Sequence, residues 1–351
     1  MNPCIGEDGP CSQVCSTDIL TYATLTIHGL GSSDENAAKI TLSRSQSFPP
    51  LRLFEKYVQV PRNEKWAPLF LPKNGAHLEL ELTESISEGR VGLTYSAEVI
   101  RDTADLNLPD LCIKLVKPKY GRSLAREAWF YEQLAREPGY EGVVTPRCFG
   151  FFTVPLKGCR DIDGQPVTHI KPWESITDTP QEQDSDDTDE SFQNEDADWR
   201  LPDDPPGFEE YYTDDDGLKD ESPWNDWRFS PSDPLICVLV LEKLAASYVR
   251  PTERDGEDKH ASEVEELDDI RDAVRDLCSI GIKHSDVRHC NVLRATHNVI
   301  CPRHGHAHQW RLIDFDMASR VCVSPETQKD VNYVLYSEVR VVGEPFFWGW
   351  L

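Results

Sequence analysis

The chain has 351 residues, with 62 acidic against 36 basic side chains and a net charge of −26. A field of that sign argues against direct nucleic-acid binding, and no stretch approaches the roughly 20 apolar residues of a membrane span. The 11 cysteines are an odd, scattered set, and Glu7, Asp8 and Asp18 interrupt any signal-peptide core between Met1 and Leu20, so the expectation is a reduced intracellular protein, cytoplasmic or nuclear.

Residues 1–75 read as an N-terminal extension of unknown structure; Thr21 to Ile27 alternates as a strand does, and Cys4, Cys11 and Cys15 are spaced as a loop cluster. From Ile86 to Ala97 the pattern is a hairpin carrying Gly89 and Gly92. Glycines in such a turn let backbone N–H groups approach phosphate oxygens with no Cβ in the way. Leu111 to Val116 is an apolar run with one cation, Lys114, and a buried strand tolerates an ammonium only with a partner. Arg126 to Leu134 reads as a helix, opened by Gly121 to Ser123 and stopped by Pro138-Gly139, and its Glu127 is the available partner.

Between Asp178 and Ser222 lie 19 acidic and 2 basic side chains. Such a run repels itself and has little to bury, so residues 158–233 are expected to be a mostly disordered acidic insertion. The aromatics Trp199, Phe208, Tyr211, Tyr212, Trp224 and Trp227 within it point to some contact all the same.

Pro234 to Leu244 is a strand pattern ending at Glu242, Lys243 and Leu244. Ser262 to Glu265 has capping-box spacing, and Val264, Leu267, Ile270, Val274 and Leu277 continue it at helical intervals up to Gly281. Next comes His284-Ser285-Asp286-Val287-Arg288-His289-Cys290-Asn291, and then Leu312-Ile313-Asp314-Phe315-Asp316. Between them, Cys301, His304, His306 and His308 have the residue types of a zinc site but no clear paired second half, so they read as a polar hairpin tip.

In order and spacing these motifs resemble the protein-kinase-like superfamily from about Leu80 to Asp316. The resemblance implies a two-lobed α+β fold: an N-lobe antiparallel sheet plus an αC helix over 76–244, interrupted by the insertion, and an abbreviated helical C-lobe over 245–351. It also implies ATP and Mg2+ as ligands. Asp286 would be the catalytic base or orienter, Asn291 and Asp314 the metal ligands, Lys114 and Glu127 the phosphate clamp, and Arg288 a γ-phosphate cation. Gly89 and Gly92 would cover the phosphates, and backbone groups near Glu242 and Leu244 would pair with adenine.

Departures from the pattern are Ser87 for the first glycine, Ser285 for the usual Arg, Arg288 for the usual Lys, and Asp316 for the Gly of D-F-G. Only 35 residues follow Asp316, which resembles the short C-lobes of small atypical kinases, and Asp330 to Leu335 is similar to the helix that anchors the catalytic loop there. The long acidic insertion resembles that of kinase-like proteins of fungi. A C-lobe this short would leave the apolar side of Val264, Ile270, Val274 and Leu277 partly uncovered, so a homodimer or an obligate partner is expected, with Pro345 to Leu351 as a cover.

The function these motifs imply is an ATP/Mg-dependent phosphotransferase acting on a protein Ser/Thr. The alternatives are a pseudokinase that binds nucleotide or a partner without turnover, and a small-molecule kinase.

Overall fold

The computed structural model describes residues 18–33, 36–54, 67–72, 74–89, 91–161, 163–170, 201, 212–214, 217–249, 259–321 and 337–349. Its strands are β1 (Tyr22–Ser33), β2 (Asn36–Arg44), β3 (Arg52–Phe54), β4 (Ala76–Glu88), β5 (Gly92–Asp102), β6 (Leu111–Val116), β7 (Cys148–Pro155), β8 (His169–Ile170), β9 (Tyr212–Asp214), β10 (Leu235–Glu242), β11 (Ile282–Lys283), β12 (Val292–Arg294), β13 (Trp310–Leu312) and β14 (Ser319–Val321). Two long helices, α1 (Gly121–Arg136) and α2 (Lys259–Ser279), accompany them, and residues 337–341 are helical. None of the described helices is long and apolar enough to cross a membrane.

Alternation along the strands decides the architecture. On β6, Leu111, Ile113 and Leu115 join one core while Cys112 and Val116 join another; on β10, Ile236, Val238 and Val240 divide from Cys237, Leu239 and Leu241 in the same way. Strands buried on both faces read as the near-continuous apolar runs seen in the sequence. One core fills the interior of a closed barrel, and the other lies between its outer face and α1 and continues beneath α2, which packs on β11 and β13.

Seven strands close the barrel in the order β1-β2-β7-β10-β6-β5-β4, with β4 returning to β1 as the one parallel pair of the ring. Closure removes the exposed strand edges that an open sheet must protect. The ring bends at Phe149–Gly150, where the β7–β10 register shifts. Gly150 has φ +136°, and a Cβ there would lie 1.9 Å from Arg44 Nη1, so only glycine fits.

This corrects the expected fold. The chain is a closed seven-stranded barrel flanked by helices, not a two-lobed α+β kinase fold with an open N-lobe sheet, an αC helix and a helical C-lobe. The physical reason lies in the first 75 residues: β1 and β2 occupy the gap between β4 and β7, so the sheet has no open side there. Beyond the barrel, β11-β14-β3-β9 form a small sheet and β12-β13 a two-stranded ribbon.

Several parts of the 158–233 segment are built into the structure. β8 pairs with β1 at Gly31 and Ser32, β9 pairs with β3, and Leu201 is buried. Trp224 packs against Phe151 and Trp227 with ring centroids 5.7 and 5.6 Å apart, and its Nε1 donates to Gln46 O at 2.7 Å. The most acidic run, 178–200, lies outside the described residues.

The apolar side of α2 is covered within this chain. Ile270, Val274 and Leu277 are buried in the outer core with Val339, Val342 and Phe347, and of the helix positions named above Val264 alone is exposed.

Truncation of Trp224 tests whether its segment belongs to the fold. Trp224→Ala should destabilise the protein by about 3–5 kcal/mol, the range for a buried aromatic, read as a lower urea midpoint at unchanged m. A loss below about 1 kcal/mol would make the segment peripheral.

Candidate active site

Lys114 is the outward-facing residue of β6 that its apolar neighbours cannot satisfy. Its Nζ donates to Glu127 Oε2 of α1 at 2.6 Å and to Asp314 Oδ1 at 2.6 Å. One ammonium therefore ties the barrel wall to α1 and to the turn after β13. Burial opposes its charge, but Asp314 and Glu127 together hold Lys114 well above its usual range. Burial pushes Glu127 up to about 7 against the opposing effect of Lys114. Asp314 also resists burial, and the charge and hydrogen bond of Lys114 bring it below the usual carboxylate value.

The second group stands on the segment between β11 and β12. Asn291 Nδ2 donates to Asp286 O at 3.0 Å and to Asp286 Oδ2 at 2.9 Å, and Arg288 Nη2 donates to Asp286 Oδ2 at 2.6 Å. The carboxylate is thus oriented from two sides. His284 is fully buried; its Nε2 is 2.9 Å from Ile313 O and its ring lies 4.9 Å from that of Phe315. This imidazole joins the Asp286 loop to the Asp314 turn.

Backbone strain marks the same place. Ser285 has φ +64° and Asp314 φ +68°, two of the three non-glycine residues with positive φ among those described. Such conformations cost about 1–3 kcal/mol each and persist only where the surroundings over-determine them. At Ser285 the restraint is Glu338, whose carboxylate accepts from His284 N at 3.0 Å and from Ser285 N at 3.1 Å.

All the sequence-predicted site residues line one cleft of about 680 Å³: Gly89, Gly92, Lys114, Glu127, Glu242, Leu244, Asp286, Arg288, Asn291 and Asp314. Asp316 lines it too. Burial raises Asp316 first and the neighbouring Asp314 charge second. Asp286, Asp314 and Asp316 thus bring three carboxylates to one cleft, where Arg288 pairs with Asp286 and Lys114 with Asp314.

Two details differ from the expected ligand contacts. Gly92 is required by the sheet, since a Cβ would meet Leu115 O at 2.4 Å; only Gly89, with nothing nearer than 3.8 Å, has open space above it. Glu242 is committed internally, its N–H donating to Arg147 O at 2.9 Å and its carboxylate accepting from Arg147 N at 3.0 Å. Lys243 N–H is likewise taken by Asp110 O. Among the described residues no hydrogen bond engages the Leu244 backbone, so the open edge of this segment is at Leu244.

Sequence reasoning missed Glu338 as the anchor of the Asp286 loop. The available signal was the single carboxylate in the mainly apolar stretch Val334 to Val342, which also holds Ser337 and Arg340. It also missed Arg126, whose Nη1 donates to Asp316 O at 2.5 Å. Asp330 to Leu335, the expected anchor, lies outside the described residues.

No family model and no curated protein matches this sequence. Among solved structures 198 chains match, one of them a crystal structure of the BubR1 kinase domain, 11% identical over 82% of this chain and 67% of that one, with a TM-score of 0.37. That is a weak likeness to a kinase domain and carries no weight beside the side-chain geometry.

The Lys114–Glu127 pair has a signed pH consequence. Glu127 is raised from an ordinary 4.5 to about 7, so the folded state holds its proton more tightly than the unfolded chain. Lys114→Met removes the opposing cation and raises it further. Stability of the variant should therefore fall between about pH 5 and pH 8 more than the wild type does, by about 1 kcal/mol. Urea unfolding at both pH values measures it; parallel curves for the two proteins would show that Lys114 does not neutralise Glu127.

Proposed function

We propose that this chain is an ATP- and magnesium-dependent phosphotransferase whose acceptor is a protein Ser/Thr hydroxyl. The supporting observation is that Lys114, held by Glu127 and Asp314, shares one cleft with the Asp286–Asn291 pair. Function follows such a constellation rather than the fold that carries it.

In this reading Lys114 reaches the α- and β-phosphates, and Glu127 fixes where its ammonium points. Asp286 accepts or orients the acceptor hydroxyl, and its hydrogen bond from the Asn291 amide N–H leaves the Asn291 amide oxygen, which accepts a long contact from Cys290 Sγ at 3.7 Å, as the atom to meet a metal. Asp314 and Asn291 supply hard oxygen ligands, with Asp316 close behind. Magnesium bound there would neutralise charge on the β- and γ-phosphate oxygens. Arg288 keeps a forked cation near the γ-phosphate end. Gly89 leaves room for phosphate oxygens, and Leu244 offers backbone groups to adenine.

A second reading, a pseudokinase that binds nucleotide or a partner without turnover, is favoured by one contact. Lys114 and Asp314 neutralise each other directly at 2.6 Å, so nucleotide and metal must separate them before binding.

The two readings part experimentally. Purified protein with labelled ATP, magnesium and generic protein acceptors should transfer phosphate, and Asp286→Ala should lose about 10²–10⁴-fold of that rate, the range for a positioned acid–base group. Asp314→Asn should abolish the magnesium-dependent thermal shift with ATP, while Asp316→Gly should keep transfer within about tenfold, roughly 1.4 kcal/mol of barrier. A clear shift without transfer identifies the nucleotide-binding pseudokinase; no shift at millimolar ATP and magnesium overturns the enzymatic reading and leaves the partner-binding pseudokinase.

Cys290 gives a readout independent of turnover. It is the one exposed cysteine among those described and it lines the cleft. Its alkylation, mapped by mass spectrometry, should slow at least about threefold with ATP and magnesium; unchanged labelling would place the nucleotide elsewhere.

A further inference from the structure

The strand ribbon that separates Asn291 from Asp314 carries a cluster the phosphotransfer reading does not use. After β12 the chain turns through Cys301 to His308 before β13. Cys301 N donates to His306 O at 2.8 Å and Gly305 N to Cys301 O at 2.9 Å. This tight turn lays Cys301, His304 and His308 against Asp276 of α2, so that one ligand atom from each of the four lies within 4.8 Å of the others. Cys301 and His308 are 0% exposed and Asp276 is 4% exposed. The two ends of the turn are therefore buried against α2, which supplies Asp276, the member of the cluster that the sequence did not show.

The separations fit the ligand shell of a metal, with Cys301 and His304 also within hydrogen-bond reach of Asp276 and Arg303 Nη2 supporting Asp276 Oδ2 at 2.8 Å. Cys301 Sγ is 3.7 Å from Asp276 Oδ2, His308 Nε2 is 3.7 Å from Asp276 Oδ2, and His304 Nε2 is 3.1 Å from Asp276 Oδ1. Zinc bonds of about 2.0–2.3 Å at tetrahedral angles put ligand atoms about 3.3–3.7 Å apart. His308 Nε2 is buried with no hydrogen-bond partner, although such a nitrogen costs about 1–3 kcal/mol when left unsatisfied. It points at the centre of the cluster.

The outward sides of both rings meet carboxylates as well. His308 Nδ1 lies 2.6 Å from Asp269 Oδ1, and His304 Nδ1 lies 3.7 Å from Asp272 Oδ2. A ring nitrogen facing the ligand centre with the other facing a carboxylate is the arrangement that fixes tautomer and basicity in zinc-bound histidines. One thiolate, two neutral imidazoles and one carboxylate also balance a dication, and a mixed sulfur, nitrogen and oxygen set at tetrahedral spacing selects zinc over magnesium or calcium.

We propose that Asp276, Cys301, His304 and His308 form a structural zinc site that clamps the β12–β13 ribbon to α2. All four positions come from protein, so the site is closed and supports structure rather than catalysis. Binding releases the Cys301 proton, and any second proton on the His304 and His308 rings, to solvent as the thiolate and the neutral imidazoles coordinate. His306, about half exposed beside Asp269, stays outside the ligand set. The clamp is independent of whether the cleft transfers phosphate.

The test uses the full chain. After dialysis, mass spectrometry of the metal content should give about one zinc per chain. Replacement by cobalt should produce a thiolate-to-metal charge-transfer band. His306→Ala should retain both signals. Cys301→Ser and His308→Ala should lose the metal, and Asp269→Asn should weaken it about 10–100-fold. Should either ligand variant fail to fold, the cobalt band of the wild type and its retention in His306→Ala still decide the matter. A folded wild-type chain that holds less than about 0.1 equivalent after zinc is added, or zinc held equally well by Cys301→Ser, would overturn the proposal.

Discussion

The Lys114 ammonium, shared at 2.6 Å between Glu127 and Asp314, is the contact on which the arrangement of the cleft depends. Burying that cation on a strand wall demands compensation. Its two partners come from different parts of the molecule, one from α1 and one from the turn after β13. Neither carboxylate would sit where it does without the charge between them. The barrel wall, the helix and the later turn are therefore registered to one another electrostatically, and the packing of Phe315 against Phe130 and Tyr131 at 6.0 and 5.2 Å repeats that registration in apolar terms.

What was legible in the sequence was local. The helix expected over Arg126 to Leu134 is part of α1, and the apolar runs around Lys114 and before Glu242 are β6 and β10, because hydrophobic periodicity and Gly/Pro punctuation act over a few residues. The pairing of Lys114 with Glu127 was also accessible, since a cation inside an apolar strand requires an anion and only 13 residues separate the two. Long-range closure was not. β1 meets β4 in parallel and β2 meets β7 across more than 100 residues, and nothing in the alternation of Thr21 to Ile27 says which edge it will seal.

Composition misled in a second way. The acidic excess of 178–222 says that the run cannot form a core of its own, but it does not say that its flanks are free. Trp224 and Leu201 are buried because the outer core offers apolar surface from β7 and α1 that charge counting never sees. The same holds for Glu338: a single carboxylate gains its role from the two backbone N–H groups of His284 and Ser285, and such groups carry no sequence signature.

The ribbon between Asn291 and Asp314 shows why the positions of those two residues are coupled. β12 and β13 pair Val292 with Leu312 and Leu293 with Arg311, and Ile313 N donates to Asn291 O at 3.0 Å. Asn291 and Asp314 are thus fixed on adjacent strand ends by backbone bonds. At the ribbon's other end the turn is held to α2 through Asp276 and to the α1–β7 connection through Arg303, which donates to Gly139 O at 2.8 Å and lies over the Tyr140 ring at 3.9 Å. A ribbon fixed at both ends cannot slide in register without breaking one set of contacts. The separation of Asn291 and Asp314 along the cleft is therefore set by the ribbon itself, and the strained φ of Asp314 is maintained because the chain entering it is not free to relax.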